Sequence, residues 1–333
     1  MIAPLILAGT LATSITVDRG AYVISAESIG TGVPMVAIAG GPGFSGRAVW
    51  GVGFGMRNSL KTYLFDQLGT GKSNLKNPKS ELKPHLTLAN TVDDLEALRK
   101  KSGAKKWIVF GQSWGAIVAM VYASKYPNSV KRLVLASIPG IGHDGTILGT
   151  NLNRLVPASV ANEILDIAAD PNLSEDEKLA RQVLIGMPYY FFDLDYGKKL
   201  ASEAPAELFS PAVFRAMSFL ILNSGSYESA LRKLNGTKFP VSMLQGQQDP
   251  CGSAMPFLLK EKYLPQAKIS LLNECGHFSW IESREDFFYE FHQHLGLPLP
   301  EYLRHIADWE HPSKDKERAL MKQRNWPFGP GLR

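Results

Sequence analysis

The chain has 333 residues, of which 45% are hydrophobic and 20% are charged, and it carries a formal net charge of +5. This composition is typical of a globular protein with a large core, and no apolar stretch reaches the length of a membrane span. Residues 314–333 include six basic and two acidic side chains, so most of the positive excess lies in the tail and does not indicate nucleic-acid binding. Two cysteines are too few for a disulfide scaffold and lack zinc-like spacing.

The first residues, 1–12, form an apolar run that resembles the middle of a secretory signal. The run lacks the basic residues that precede the apolar part of such signals. We therefore predict a lead-in to the first strand and a cytoplasmic protein, with an exported form as the alternative.

Short apolar segments bounded by turn residues predict strands along most of the chain. They span residues 14–17, 22–26, 33–39, 62–65, 107–110, 131–136, 240–244 and 268–272. Helical patterns cover residues 91–101, the apolar segment that ends before Pro127, and residues 284–295. Strands that alternate with helices predict an α/β fold with a mostly parallel central sheet, flanked by helices.

One long segment breaks this alternation. Between residues 137 and 236, helical patterns follow one another without strands, and Ser174 and Glu177 form a capping box. Ser210 followed by Pro211 predicts another helix start. We interpret residues 137–236 as a helical insertion into a core made of residues 1–136 and 237–333.

A G-x-S-x-G sequence at residues 111–115 joins a predicted strand to an apolar helix. In a strand-turn-helix elbow the turn exposes the serine hydroxyl, and the flanking positions must be small, as Gly111 and Gly115 are. Ser113 is therefore the candidate nucleophile. A serine nucleophile needs a base beside it and N–H donors for the developing oxyanion.

Such an elbow predicts the chain order serine, acid, histidine, with the last two on loops after late strands. Asp249 follows the strand at 240–244, and His277 follows the strand at 268–272. We assign His277 as the general base and acid, and Asp249 as the group that holds the imidazole in one tautomer. Asp144 is the alternative acid.

The oxyanion hole requires two backbone donors. Trp114 follows the nucleophile and offers its N–H at a helix N-terminus. The glycine-rich segment 40–43 follows the third strand, and the N–H of Gly41 is the best second donor. This chemistry uses no cofactor and no metal, and we predict neither.

Other motifs receive structural interpretations. Residues 69–73 resemble the end of a phosphate-binding loop, but the full pattern needs glycine where the chain has Asp66, so we predict a sharp turn. His292 and His294 are predicted on the surface of the last helix. Cys251 and Cys275 are expected to be small packed thiols, or alternatively thiols whose modification blocks the site.

Together these residues resemble the α/β-hydrolase family and, within it, the proline iminopeptidase group of serine aminopeptidases. The matching segments are AGGPG at 39–43, DQLGTGKS at 66–73, NTVDDLEALRK at 90–100, GQSWG at 111–115 and CGHF at 275–278. Three positions depart from the group's pattern, with Ala39 in place of histidine, Leu68 in place of arginine and Gln112 in place of glycine. The resemblance implies an α/β-hydrolase fold in which the helical insertion forms a cap.

The resemblance also implies an aminopeptidase that acts through an acyl-enzyme on small molecules or short peptides, with acidic cap residues that bind the free α-amino group. Candidates for that role are Asp193, Asp195, Glu203, Glu207 and Glu228. Tyr190 is a candidate for the pocket wall. A carboxylesterase or lactonase with the same triad is the closest alternative, and a hydrolase-fold receptor without catalysis is a more distant one.

Overall fold

The computed structural model describes residues 13–140, 145–222, 225 and 227–307, with a nine-stranded sheet at its centre. Three features discussed above lie outside the described residues. They are the N-terminal apolar run, the alternative acid Asp144 and the basic tail.

The strands are β1 Thr13–Asp18, β2 Tyr22–Ile29, β3 Val33–Ile38, β4 Leu60–Asp66, β5 Asn74–Leu75, β6 Trp107–Gln112, β7 Val130–Ala136, β8 Val241–Gly246 and β9 Lys268–Leu272. They follow the order β1-β2-β4-β3-β6-β7-β8-β9, and β5 pairs with β2. The three pairings of β2 are antiparallel, and the pairings from β4 across to β9 are parallel. The mostly parallel central sheet predicted from the sequence is confirmed.

The chain changes its direction of travel across the sheet at β3. From β3 it moves to β4 on one side, and it later returns to β6 on the other side of β3. The loops that leave such a pair of strands diverge, and they open a crevice at the carboxyl edge of the sheet. Gly41 and Ser113 lie on these two loops.

Helices flank the sheet on both faces. The helices of the described residues are α1 Trp50–Gly55, α2 Leu88–Ser102, α3 Trp114–Lys125, α4 Gly145–Leu155, α5 Ala158–Ala169, α6 Glu175–Gly186, α7 Leu194–Ser202, α8 Pro211–Met217, α9 Phe219–Leu222, α10 Glu228–Arg232, α11 Met255–Lys262, α12 Ser279–Glu282, α13 Arg284–Leu295 and α14 Glu301–Ala307. One buried cluster includes Leu95 of α2 and Ile117 of α3, and a second includes Phe287 and Phe291 of α13 packed around Phe110.

The helix α2 begins earlier than the apolar pattern indicated. Thr87 is its N-cap, and its side-chain oxygen accepts a hydrogen bond from the N–H of Asn90 at 3.1 Å. The predicted start at residue 91 was late because no residue between 88 and 90 is fully buried, so burial does not mark the first turn of α2.

Between β7 and β8 the named elements of the described chain are all helical, from α4 to α10. The predicted capping box is present, with Ser174 and Glu177 each bonded to the backbone of the other. Ser210 precedes α8 as predicted, but its side chain does not cap the helix. An antiparallel bridge joins Phe44 of the core to Phe209 of this helical insertion.

The two histidines of α13 are buried, so the prediction that they lie on the surface was wrong. His292 is 2% exposed, and its Nδ1 lies 2.7 Å from the carbonyl oxygen of Phe288. His294 is 9% exposed, and its Nε2 lies 3.0 Å from the hydroxyl of Ser270 on β9. Burial lowers the pKa of both imidazoles because it disfavours the charged form.

None of the helices in the described part of the chain is long and apolar enough to cross a bilayer.

Candidate active site

Ser113 occupies a strained turn between β6 and α3. Its backbone has φ 55° and ψ −123°, outside the regions that side-chain-bearing residues normally adopt. Two hydrogen bonds hold this conformation, from Ser113 N to the oxygen of Ala136 at 3.0 Å and from Ala116 N to the oxygen of Ser113 at 2.8 Å. Strain of this kind costs free energy and persists at sites where it serves a function. The turn at Ser113 therefore has the strained backbone that a nucleophile elbow requires.

The glycines on either side of Ser113 are required by close backbone contacts. A Cβ on Gly111 would lie 2.2 Å from the carbonyl oxygen of Gly115. A Cβ on Gly115 would lie 2.2 Å from the carbonyl oxygen of Ile38, at the end of β3. Both distances are shorter than real contacts, so Gly111 allows the turn to close on itself and Gly115 allows it to pack against β3.

The glycine-rich loop after β3 lies against the elbow. A Cβ on Gly40 would lie 3.0 Å from the Cβ of Ser113, and Gly41 has a φ of 111° that favours glycine. Among the described residues, the backbone N–H groups of Gly41 and Trp114 donate to no other protein atom. Both predicted oxyanion donors are thus available to a ligand.

His277 and Asp249 form a buried pair at the same edge of the sheet. The Nδ1 of His277 lies 2.9 Å from both carboxylate oxygens of Asp249, and each residue is 4% exposed. One Asp249 oxygen also accepts from the N–H of Cys251 and the other from the Nε2 of Gln245, both at 2.8 Å. The carboxylate is thereby held in one orientation, and the Nε2 of His277 is left free of Asp249.

The insertion supplies a neighbour to the imidazole. The ring centroid of Tyr190 lies 5.2 Å from that of His277, and the carbonyl oxygen of Tyr190 accepts from the N–H of His277 at 2.7 Å. Burial raises the pKa of the Tyr190 phenol. The structure therefore brings this predicted pocket residue into contact with the candidate base.

The acidic candidates have other surroundings. Glu203 and Glu207 are exposed. Glu228 pairs with Arg232 at 2.7 Å and accepts from the hydroxyl of Tyr263 at 3.2 Å. Both partners bind the same oxygen, Oε1, of the Glu228 carboxylate.

The turn that resembles a phosphate-binding loop binds its own carboxylate instead. Asp66 is 6% exposed and accepts from the N–H groups of Gly46 and Lys72, both at 2.9 Å. Burial raises its pKa to about 6. Because the aspartate takes the N–H that a phosphate would need, the prediction of a structural turn agrees with this geometry.

Two glutamines that sequence reasoning overlooked support the site. The Oε1 of Gln67 accepts from the indole Nε1 of Trp114 at 2.8 Å, inside the core. The Oε1 of Gln245 accepts from the N–H of Ile138 at 2.7 Å, while its Nε2 donates to Asp249. The DQ dipeptide was the available signal for Gln67, whereas nothing local marked Gln245.

Both cysteines are buried, as expected for packed thiols. In the described chain, Asp249, Cys251 and His277 form a group of potential metal ligands whose ligand atoms lie within 4.8 Å of one another. The carboxylate and the imidazole of this group already bind each other. Burial raises the pKa of the Cys251 thiol, so this sulfur is a poor metal ligand in its resting state.

The comparisons with known proteins agree with this geometry. A family model described as the alpha/beta hydrolase fold matches residues 33–283. The chain therefore belongs to the α/β-hydrolase fold family, and the predicted enzyme class, a hydrolase, is confirmed.

Within that family the chain is similar to proline iminopeptidases, as its motifs predicted. A protein of that name from Neisseria meningitidis serogroup A is 36% identical over 267 residues, which cover 74% of this chain and 83% of the relative. Another from Lactobacillus helveticus is 26% identical over 268 residues, with 76% and 86% covered.

Solved structures share the fold. An alpha/beta fold family hydrolase from Bacillus anthracis superposes with a TM-score of 0.62 at 17% identity, covering 85% of this chain and 99% of that one. The proline iminopeptidase of Mycobacterium smegmatis gives a TM-score of 0.59 at 17% identity, with 85% and 99% covered. The α/β-hydrolase fold predicted from the sequence is confirmed.

Proposed function

We propose that the protein is a serine hydrolase that acts through an acyl-enzyme on Ser113. The observation that carries this proposal is the buried His277–Asp249 pair at the sheet edge to which the strained Ser113 elbow also belongs. His277 takes the proton of the Ser113 hydroxyl, protonates the leaving group, and then activates water for hydrolysis of the ester. Asp249 accepts from Nδ1 and stabilises the transient imidazolium.

The N–H groups of Gly41 and Trp114 are proposed to bind the oxyanion of each tetrahedral intermediate. Both groups lie on loops that border the crevice. Neither N–H donates to a protein acceptor among the described residues. Loss of one such donor costs about 2.7–4 kcal/mol of transition-state stabilisation in comparable sites.

The preferred substrate in this proposal is a short peptide or aminoacyl amide with a free N-terminus, from which the enzyme releases the first residue, such as proline. The support is the name shared by the relatives at 26% and 36% identity. We also propose that residues 137–236 act as a cap over a core formed by residues 1–136 and 237–333. Backbone hydrogen bonds between the insertion and Gly43, Ser45 and His277 support this role.

A carboxylesterase or lactonase with the same triad is the second candidate. It is favoured by the surroundings of the acidic side chains, because Glu203 and Glu207 are exposed and Glu228 has two protein partners. The buried residues Ala39, Leu68 and Gln112, which depart from the aminopeptidase pattern, also favour it.

Two experiments test the proposal. A neutral fluorophosphonate should label the wild-type protein and not Ser113→Ala; equal labelling of both would remove Ser113 as the nucleophile, and a wild type that is never labelled would favour the receptor alternative. A panel of prolyl and other aminoacyl anilides, aryl esters and lactones then separates the two candidates. Hydrolysis of esters or lactones alone would defeat the aminopeptidase assignment.

A further inference from the structure

Glu282 is a buried carboxylate that the proposed mechanism does not use. It is the last residue of α12 and is 9% exposed. Its Oε1 accepts from the N–H groups of Phe192 at 2.8 Å and Asp193 at 3.1 Å, and its Oε2 accepts from the N–H of Gly276 at 2.7 Å. One side chain thus binds the helical insertion with one oxygen and the residue before His277 with the other.

The two segments that Glu282 joins are in close contact. A Cβ on Gly276 would lie 2.3 Å from the carbonyl oxygen of Tyr190 and 2.8 Å from the Oε2 of Glu282. The N–H of His277 donates to that same Tyr190 oxygen, and the ring of Phe191 stacks on the ring of Phe278 at 4.8 Å. The backbone on both sides of the imidazole is therefore held by the insertion.

The buried charge of Glu282 is unfavourable for the stability of the fold. Among the described residues, the donors to Glu282 are three main-chain N–H groups rather than a cation. A buried carboxylate without a cationic partner is unfavourable, and a well-packed neutral side chain would avoid that cost. Three N–H groups converge on the two oxygens, and the ionised carboxylate accepts from all of them without offering a competing O–H group.

We propose that ionised Glu282 is a positioning residue that fixes the His277 loop against the helical insertion. It thereby holds the His277 imidazole in the position from which it can take the proton of the Ser113 hydroxyl. This inference rests on the proposed role of His277 as the base. Glu282 touches neither substrate nor reacting atoms in this scheme, and it acts through the backbone of Gly276.

The proposal predicts a distinctive pH dependence. Burial raises the pKa of Glu282 to about 7, the neighbouring Asp193 carboxylate adds to the rise, and the backbone N–H donors oppose it. Other titratable or charged groups near it include His277, Arg284 and Tyr196. Glu282 and Arg284 both act on the Tyr196 phenol, whose pKa burial raises to about 12, so this phenol stays neutral. Below about pH 7 the carboxyl takes up a proton on an oxygen that must accept from an N–H. Full activity in this scheme therefore requires that Glu282 has lost its proton.

Glu282→Gln removes the charge with little change in shape. If its amide oxygen replaces Oε1, the NH₂ group faces the N–H of Gly276; if the amide is reversed, the NH₂ group faces the two donors of the insertion. Either orientation releases one of the two segments. Displacement of a reacting group by about 1 Å can cost on the order of a hundredfold in rate, so we expect a ten- to hundredfold slower reaction.

The test is the rate of Ser113 labelling by a neutral fluorophosphonate between pH 5 and 9, because this probe does not titrate. The matched control is Asp94→Asn, which removes another buried carboxylate, 1% exposed, that binds Arg19 and Tyr22. We expect labelling of the wild type and the control to slow as the pH falls through about 7, where Glu282 takes up its proton. Glu282→Gln should be labelled more slowly than the wild type at pH 9, and its rate should fall less between pH 9 and pH 5.

The outcomes separate this inference from the proposed function. A wild type that is never labelled defeats the proposed function, and the inference fails with it. If the wild type is labelled, and folded Glu282→Gln is labelled at the same rate with the same pH dependence, the inference alone is overturned. If Glu282→Gln does not fold, Glu282→Asp decides, because its side chain keeps the charge but is one carbon shorter and cannot reach both segments at once. Slower labelling of folded Glu282→Asp supports the inference, and an unchanged rate overturns it.

Discussion

Replacement of Asp249 by asparagine is the sharpest test of the triad because the structure determines how the new amide must sit. Both oxygens of Asp249 accept from a fixed donor, the N–H of Cys251 on one side and the Nε2 of Gln245 on the other. Gln245 cannot reverse its amide without losing the bond from the N–H of Ile138 to its Oε1. Asparagine has one acceptor oxygen, so its NH₂ group must face one of these donors.

The expected effect follows from that conflict. His277 loses the carboxylate that holds its tautomer and stabilises the imidazolium, which in a comparable triad lowers kcat by about 10⁴-fold. At 1.36 kcal/mol for each factor of ten, this corresponds to about 5.4 kcal/mol of transition-state stabilisation. A buried donor left without an acceptor should also lower the free energy of unfolding by about 1–3 kcal/mol.

The assay is the rate of hydrolysis of whichever ester or anilide proves to be a substrate, with Ser113→Ala as the baseline and Asp144→Asn as the matched control. The double variant Gln245→Glu with Asp249→Asn offers an acceptor to the asparagine NH₂ group and turns its oxygen towards Cys251. It should recover stability and part of the rate. A hydrolysis rate of Asp249→Asn within tenfold of the wild-type rate, together with a slowed Asp144→Asn, would refute the assignment of Asp249 as the acid.

Three further predictions concern stability. Gly115→Ala should lower the free energy of unfolding by about 3 kcal/mol or more, because its Cβ meets the Ile38 oxygen, whereas Gly186→Ala in α6, with no atom within 4 Å, should be neutral or stabilising in the same thermal denaturation. Gln67→Met should cost about 1–3 kcal/mol, since it leaves the indole N–H of Trp114 without its acceptor, while Gln67→Glu keeps one. Glu282 has a folded-state pKa raised to about 7 from 4.5, so its contribution is most favourable below about pH 4.5 and is lost as pH rises to 7. Urea titrations should show that this fall, up to roughly 3 kcal/mol, is absent from Glu282→Gln; an unchanged slope would contradict it.

Much of the fold could be predicted because its signals are local. The strand at Lys268–Leu272 and the helix Arg284–Leu295 agree with their predicted bounds, since each shows its own apolar pattern and ends at a recognisable stop. The elbow at Ser113 is equally local, because tight backbone contacts require glycine at positions two residues away on both sides. Asp249 and His277 could be proposed from chain order, because the loops after late parallel strands meet at one edge of the sheet.

Features that depend on distant segments did not show in the sequence. His292 and His294 looked like surface residues near a helix end, and only the packing of α13 against the sheet decided that they are buried. The acceptor roles of Gln67 and Gln245 needed the fold, since Gln67 lies 47 residues from Trp114 and Gln245 lies 107 residues from Ile138.

The sequence by itself therefore determined the α/β-hydrolase class and the residues proposed as nucleophile, base and acid, because local backbone geometry and chain order restrict them. The tertiary structure alone decided which groups hold those residues in place. Glu282 shows why: its three donors come from residues 89, 90 and 6 positions away, and a carboxylate on a short helix carries no sign of them until the insertion and the His277 loop have packed together.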